Sequence, residues 1–277
     1  MSGVLPASVH DKPVDEMILA GFGVFLIAVH MLLPESLRTV FVFTYGEPSV
    51  VTAWTAATLH DSWSHLLSNL TWYGIVIGST YALLVKQEHR RIFWLATVAC
   101  VVVGPPVTKL VDYWVLMVQW EVVTGSTTAT GFSAVVSAFG GMLYVVLLAT
   151  VTARFGYSVG VVTAGTLAVA SFTGLSITSD IVPETAAIRL LVTSGVLFVI
   201  GVSRVDLVQR VRRVWMQNGD VGLRVGIAWV VLVVLVSMLF QIEVQGGRFV
   251  NVVAHGTGFM TGMIVTTGVF GWQQNAT

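Results

Sequence analysis

Charged side chains are scarce in this sequence. Asp, Glu, Lys and Arg make up 10% of its 277 residues, whereas 55% are hydrophobic and the mean hydropathy is +0.85. A soluble domain carries about 25% charged residues, so this chain has too few polar groups to cover a water-exposed surface. The composition therefore predicts an integral membrane protein with the lipid bilayer as its partner. The formal net charge of zero argues against nucleic acid as a partner.

Cysteine is almost absent, since Cys100 is the only one. A single cysteine excludes an intrachain disulfide, a cysteine-based zinc site and an iron–sulfur cluster. An HExxH motif is also absent, so we predict no metal site and no cofactor. The first apolar run starts only at Met17, behind charged residues, and we expect it to be a membrane helix and not a cleavable signal peptide.

Long apolar runs are abundant, and eight of them approach the roughly 20 residues that a membrane helix needs. They cover residues 17–33, 64–85, 92–108, 131–151, 158–177, 186–202, 223–241 and 251–271. The Pro105-Pro106 pair predicts that the third helix ends or kinks there, which leaves 107–120 as a short interfacial helix. We therefore predict an all-α polytopic membrane protein with about eight transmembrane helices in a single domain over 1–277.

The basic residues predict how these helices are oriented across the membrane. If the N-terminus is cytoplasmic and the chain crosses eight times, most of the Lys and Arg residues fall on the inside, as the positive-inside rule requires. Residues 1–16 are then a cytoplasmic tail, and 203–222 form a basic cytoplasmic loop along the inner membrane surface. Both termini are cytoplasmic, in what we expect to be a prokaryotic cell membrane.

Three polar clusters interrupt the apolar runs. They are His65-Leu66-Leu67-Ser68-Asn69, Gly131-Phe132-Ser133-Ala134 and Ala254-His255-Gly256-Thr257-Gly258. Polar and ionisable side chains are costly in lipid, so each cluster marks a candidate functional site. On the eight-span count, all three lie near the outer ends of even-numbered helices. They are therefore predicted to form one polar pocket that opens to the outside.

Ser133 and His255 are the ingredients of nucleophilic catalysis. Gly131 and Ala134 are small, so a substrate carbonyl has room to approach the Ser133 hydroxyl. His255 is a general base if it lies within hydrogen-bond reach of that hydroxyl. Both residues also have a structural interpretation, since serine packs between membrane helices and a lone histidine can bond across them.

Small and polar neighbours complete the set of candidate residues. Gly258 and Gly262 are four residues apart and predict a flat face for close helix approach. His65 and Asn69 share one helix face, and both can donate hydrogen bonds to an oxyanion. His60 lies at a loop–helix boundary, where it is either a supporting residue or a hydrated interfacial histidine.

These residues resemble the motifs of the rhomboid family of intramembrane serine proteases. The family has HxxxN on one helix, GxSG at the start of another and AHxxG on the last, and the three clusters follow that order. The resemblance implies that Ser133 is the nucleophile, that His255 is its base and acid, and that His65, Asn69 and the Ser133 N–H bind the oxyanion. Ala134 departs from the family's glycine, and Ser137 departs from an aromatic that often stacks on the histidine. Three predicted helices, where the family core has one, separate Ser133 from His255.

The leading hypothesis is an intramembrane serine endopeptidase that cuts the membrane helices of protein substrates near the outer face. Ala134 and Ser137 keep open a second hypothesis, a rhomboid-like protein that binds membrane helices without cutting them. A third is a small-solute or proton transporter that uses His255, Lys109 and Asp112 as intramembrane charges.

Overall fold

The computed structural model describes residues 11–85, 89–178, 207–239, 244–245, 248–249 and 252–275. This part of the chain is mostly helical, as predicted for an all-α polytopic membrane protein. Its helices are α1 Asp11–Leu32, α2 Glu35–Phe41, α3 Val50–Thr55, α4 Trp63–Leu84, α5 Arg90–Asp112, α6 Ser133–Phe155, α7 Tyr157–Thr178, α8 Leu207–Leu239 and α9 Val252–Asn275. Two short antiparallel pairs join β1 Phe43–Thr44 to β2 Thr128–Ala129, and β3 Val244–Gln245 to β4 Arg248–Phe249.

Five helical segments in the described residues are long and apolar enough to cross a membrane. They are Pro13–Leu32, Arg90–Gln119, Ser133–Phe155, Gly219–Leu239 and Val252–Asn275. Helices also form over the predicted runs 64–85 and 158–177, as α4 and α7, although neither is one of the five. In α4 the polar cluster around His65 dilutes the apolar sequence. The predicted span 186–202 lies outside the described residues.

The third helix is predicted to end or kink at Pro105-Pro106, and the first of these two alternatives is wrong. Helix α5 continues through both prolines to Asp112, and a π-helical segment, Tyr113–Gln119, follows it directly. Proline at 105 has no N–H to offer the carbonyl of Val101, four residues earlier. The indole N–H of Trp54 donates to that carbonyl at 3.2 Å instead. A donor from another segment therefore replaces one missing helix bond.

Helix α8 also differs from its prediction. We expected a basic loop over 203–222 followed by a helix from about 223, but one helix of 33 residues runs from Leu207 to Leu239. Much of the predicted loop is therefore the first part of this helix. None of its residues from 207 to 239 is a proline, so no missing backbone donor interrupts it.

Helix α6 occupies the centre of the bundle. It packs against α4, α5, α7, α8 and α9, and most of its side chains are buried. Helix α8 packs against α4, α6 and α7. Of the predicted helices between Ser133 and His255 that the structure describes, α8 is therefore the one that lies beside both α4 and α6.

The segment between α1 and α4, residues 33–62, forms a folded loop that covers the end of the bundle at which α4, α6 and α9 begin. Strand β1 of this loop pairs with β2, placing Phe43 opposite Ala129. Phe43 and Tyr45 are buried, and the N–H of Gly131 donates to the carbonyl of Ala56 at 3.0 Å. The loop before α4 thus holds the segment that leads into α6.

At the other end of the bundle, a buried carboxylate joins α1 to α4 and α5. Both oxygens of Asp15 accept from the Arg90 guanidinium, at 2.6 and 2.8 Å. The indole of Trp94 donates to the same carboxylate at 2.9 Å, and the Tyr81 hydroxyl at 3.2 Å. Buried charges are tolerated when they are paired and hydrogen-bonded, and here three side chains meet both requirements.

Candidate active site

Ser133 is the first residue of α6, directly after a sharp turn. The turn depends on Gly131, whose φ is +111°, a conformation that other residues rarely adopt. A Cβ atom at this position would also lie 2.7 Å from Cε1 of His65. Gly131 therefore lets the chain turn into α6 while the His65 ring lies against its backbone.

Ser133 and His255, which were predicted to form a pair, lie within hydrogen-bond distance of each other. The Nε2 atom of His255, in the first turn of α9, lies 2.9 Å from Oγ of Ser133. The other ring nitrogen, Nδ1, lies 2.6 Å from the carbonyl oxygen of Leu239. A carbonyl can only accept, so Nδ1 carries the proton and Nε2 of the neutral ring is free to accept from the serine hydroxyl. This is the arrangement that a general base requires.

The dyad forms because α6 and α9 approach each other closely. A Cβ atom on Gly258 would collide with the carbonyl of Ala134, and one on Gly262 with the carbonyl of Ala138. The flat face predicted from Gly258 and Gly262 is confirmed by these contacts. Ser137 adds a hydrogen bond from its hydroxyl to the carbonyl of His255, at 2.6 Å. Ala134 has helical backbone geometry, which alanine adopts without strain.

His65 and Asn69 lie on α4, which packs against α6. His65 is half-buried against Gly131, two residues before Ser133. Asn69 is 5% exposed, and its side-chain Nδ2 has no hydrogen-bond partner among the described residues. A buried amide donor without an acceptor is costly, which favours a role in binding a group that is absent from the resting protein. No backbone hydrogen bond from the Ser133 N–H is formed within the described chain either.

His60 is not a hydrated interfacial histidine, because only 1% of its surface is exposed. Its ring lies edge-on to that of His65, with the centroids 5.3 Å apart. Burial, together with the nearby His65 and His30, lowers the pKa of His60 to about 4. His60 is therefore neutral at physiological pH and supports His65 through ring contact.

In the segment after Pro106, the side chains of Lys109 and Asp112 are buried, at 5% and 0% exposed. The Tyr45 hydroxyl donates to Oδ2 of Asp112 at 2.6 Å, which connects the covering loop to α5. Thr130 donates to Oδ1 of Asp61 at 2.7 Å and connects the segment before Ser133 to the start of α4. Both carboxylates thus stabilise the surroundings of the site.

Sequence reasoning missed the carbonyl of Leu239 and the contacts of Asp61 and Asp112. A backbone carbonyl leaves no mark in the sequence, since every residue has one. The two carboxylates are visible in the sequence, but their partners lie 67 and 69 residues away along the chain. Within the part of the chain that the structure describes, no group of three or more His, Cys, Asp or Glu residues is arranged to hold a metal ion.

Comparison of the chain with protein-family models, with curated proteins and with solved structures finds no match. The resemblance to the rhomboid family therefore stays an expectation carried by three motifs.

Proposed function

We propose that this protein is an intramembrane serine endopeptidase that cleaves the membrane helices of protein substrates. The observation that carries the proposal is the 2.9 Å contact between Oγ of Ser133 and Nε2 of His255. A histidine that accepts from a serine hydroxyl, and whose other nitrogen is held by an acceptor, is the arrangement that activates serine for acyl transfer. Its position at the start of two apolar helices supports a substrate that lies in the membrane.

The proposed reaction has two halves. Oγ of Ser133 attacks the scissile carbonyl carbon while its proton passes to Nε2 of His255. The oxyanion is then stabilised by the Ser133 N–H, at the positive end of α6, and by Asn69 and His65. His255 returns the proton to the leaving nitrogen, and the C–N bond breaks to leave an acyl-enzyme. His255 next removes a proton from water as the water oxygen attacks the ester carbonyl. The C–O bond to Ser133 then breaks while His255 returns the proton to Oγ, and the product acid ionises to a carboxylate.

The membrane setting limits the substrate bond that can be cut. The carbonyl of a helical residue is hydrogen-bonded within its own helix, so the substrate must unwind locally before Ser133 can reach it. We therefore expect small or helix-breaking residues near the scissile bond. With the orientation that the positive-inside rule favours, the site faces the outer side of a prokaryotic cell membrane, and both termini are cytoplasmic.

The first prediction tests the nucleophile. Ser133→Ala should abolish cleavage of a membrane-helix substrate in proteoliposomes and remove labelling by a fluorophosphonate, because among the described residues Ser133 has the hydroxyl that contacts Nε2 of His255. The matched control is Ser68→Ala, since Ser68 is an exposed serine on α4. Cleavage that persists in Ser133→Ala would exclude the dyad. Absence of labelling and cleavage in the unaltered protein would favour a protein that binds helices without cutting them.

The buried charges of α5 are the observation that favours a transporter as the second candidate. Lys109 and Asp112 both lie within an apolar segment that is long enough to span a membrane. Ionisable residues in such segments often line a solute or proton pathway. Uptake into proteoliposomes that is lost in Lys109→Met but unchanged in Ser133→Ala would support transport over proteolysis.

A further inference from the structure

The orientation of His255 depends on a backbone atom of another helix. Its Nδ1–H donates to the carbonyl oxygen of Leu239 over 2.6 Å, and this contact is buried. Without an acceptor at Nδ1, the neutral ring can equally place its proton on Nε2, where it would block acceptance from Ser133. The carbonyl of Leu239 therefore selects the tautomer that makes His255 a base.

The position of Leu239 explains why this carbonyl is available. Leu239 is the last described residue of α8, and the final four carbonyls of a helix have no N–H partner within it. The aligned peptide dipoles also place a partial negative charge of roughly half an electron at this end. The C-terminal end of α8 thus presents to His255 both an acceptor and a negative potential.

Among the residues that the structure describes, no carboxylate provides the acceptor or the negative potential beside His255. The side chains that interact electrostatically with His255 are Lys109 and His65, and both are basic. When His255 takes the proton from Ser133, these neighbours oppose the new positive charge. The C-terminal end of α8 is the group in contact with the ring that favours that charge.

The backbone and the ring of His255 are held by different helices. Ser137 of α6 donates to the His255 carbonyl at 2.6 Å and fixes the backbone, whereas Leu239 of α8 fixes the ring. Ser137 contacts the backbone of His255 and makes no hydrogen bond to the ring. The contact with α8 therefore supplies a restraint that α6 does not provide.

We propose that the Leu239 carbonyl, at the C-terminal end of α8, is the positioning group for His255 and takes the place that a carboxylate has in a catalytic triad. The proposal rests on the proposed proteolytic function, which it deepens by giving α8 a defined part in the reaction. Leu239 does not touch the reacting atoms, so its effect should appear in turnover and not in substrate binding.

The experiment weakens this one carbonyl as an acceptor. 3-Phenyllactic acid, incorporated in place of Phe240, converts the amide bond after Leu239 into an ester, whose carbonyl is a poorer acceptor. We expect kcat to fall by about tenfold, because the ester weakens a hydrogen bond to the His255 ring that becomes charged in the transition state, and KM to stay unchanged. The control places leucic acid at 239, which makes an ester one bond earlier and leaves the Leu239 carbonyl in an amide.

An NMR measurement distinguishes loss of the hydrogen bond between Leu239 and His255 from a general disturbance of the structure. In protein labelled with 15N-histidine, the Nδ1–H proton of His255 should resonate far downfield and move upfield in the phenyllactate variant but not in the leucic acid control. The resonance is assigned by its loss in His255→Ala. Because it needs no turnover, this measurement also tests the contact if the protein proves inactive.

The outcomes are distinct. A fall in kcat with an upfield shift, both confined to the phenyllactate variant, supports the proposal. An unchanged kcat, or an equal loss in both esters, overturns it. Failure of the proposed function looks different, since the unaltered protein would then neither cleave a substrate nor react with a fluorophosphonate.

Discussion

At the scale of single residues, the site combines polar side chains that stand out in the sequence with a backbone carbonyl that does not. Ser133, His255, His65 and Asn69 stand out because polar side chains are rare in apolar runs. The tautomer of His255 is decided by a backbone carbonyl, and that choice was not predictable. The burial of His60 was not predictable either, because it depends on the fold of the loop before α4.

His60 gives a prediction about pH. Its pKa is lowered from 6.5 to about 4 by burial, so the unfolded chain takes up a proton before the folded protein does. The contribution of His60 to the free energy of unfolding is therefore at its full value above pH 6.5 and decreases as the pH falls towards 4. The free energy of unfolding should decrease by about 2 kcal/mol between pH 7 and pH 5.

The measurement is the thermal unfolding midpoint in detergent at both pH values. His60→Gln should show a smaller decrease between pH 7 and 5 than the unaltered protein. His89→Gln is the control, because His89 is exposed and lies outside the site. Equal decreases in the unaltered protein and in His60→Gln would show that His60 does not titrate in this way.

At the scale of elements, the site depends on the distance between α6 and α9. The glycine spacing on α9 predicts this close approach, and the contacts of Gly258 and Gly262 confirm it. The course of α5 was predicted less well. The sequence shows that Pro105 lacks a donor, but not that Trp54, on the distant helix α3, supplies one to Val101.

The helix contact gives a prediction about activity. Gly262→Ala should force α6 and α9 apart, because its Cβ would collide with the carbonyl of Ala138. Overpacking of this kind costs about 1–3 kcal/mol, and a displacement of about 1 Å at a catalytic pair lowers kcat by roughly a hundredfold. The measurements are the unfolding midpoint and the rate of fluorophosphonate labelling of Ser133.

Gly268→Ala is the matched control on the same helix, since a Cβ atom there has nothing within 4 Å. It should leave both quantities unchanged or raise the midpoint slightly, because alanine favours the helix. If Gly262→Ala labels as fast as this control, the close approach is not needed for the dyad.

At the scale of the whole molecule, apolar runs predict most of the helices but not which of them touch. Hydropathy has no information on neighbours, and helices in lipid are sorted by small residues and polar contacts. The place of α8 beside α4 and α6 illustrates this limit. So does α1, whose fully buried Asp15 binds Arg90, Trp94 and Tyr81 across long sequence distances.

The Asp15 cluster gives a prediction about assembly. Asp15→Ala removes the acceptor of all three side chains. Because the Arg90 side chain is 34% exposed, the cost should lie at the lower end of the roughly 3–5 kcal/mol for breaking a buried ion pair on one side. The unfolding midpoint should fall sharply, and protease should cut more readily next to α1. Glu16→Gln, at the adjacent exposed position, should behave like the unaltered protein. A small effect of Asp15→Ala would mean that apolar packing alone holds α1.

The sequence distance between Ser133 and His255 has a consequence for the synthesis of the protein. The two residues are 122 positions apart, and α6 is therefore made well before α9. At about 5–20 residues per second, a ribosome needs roughly 6–24 seconds to cover that interval. During this time Ser133 is in the membrane without His255. The proposed dyad therefore cannot assemble until the last described helix has been inserted.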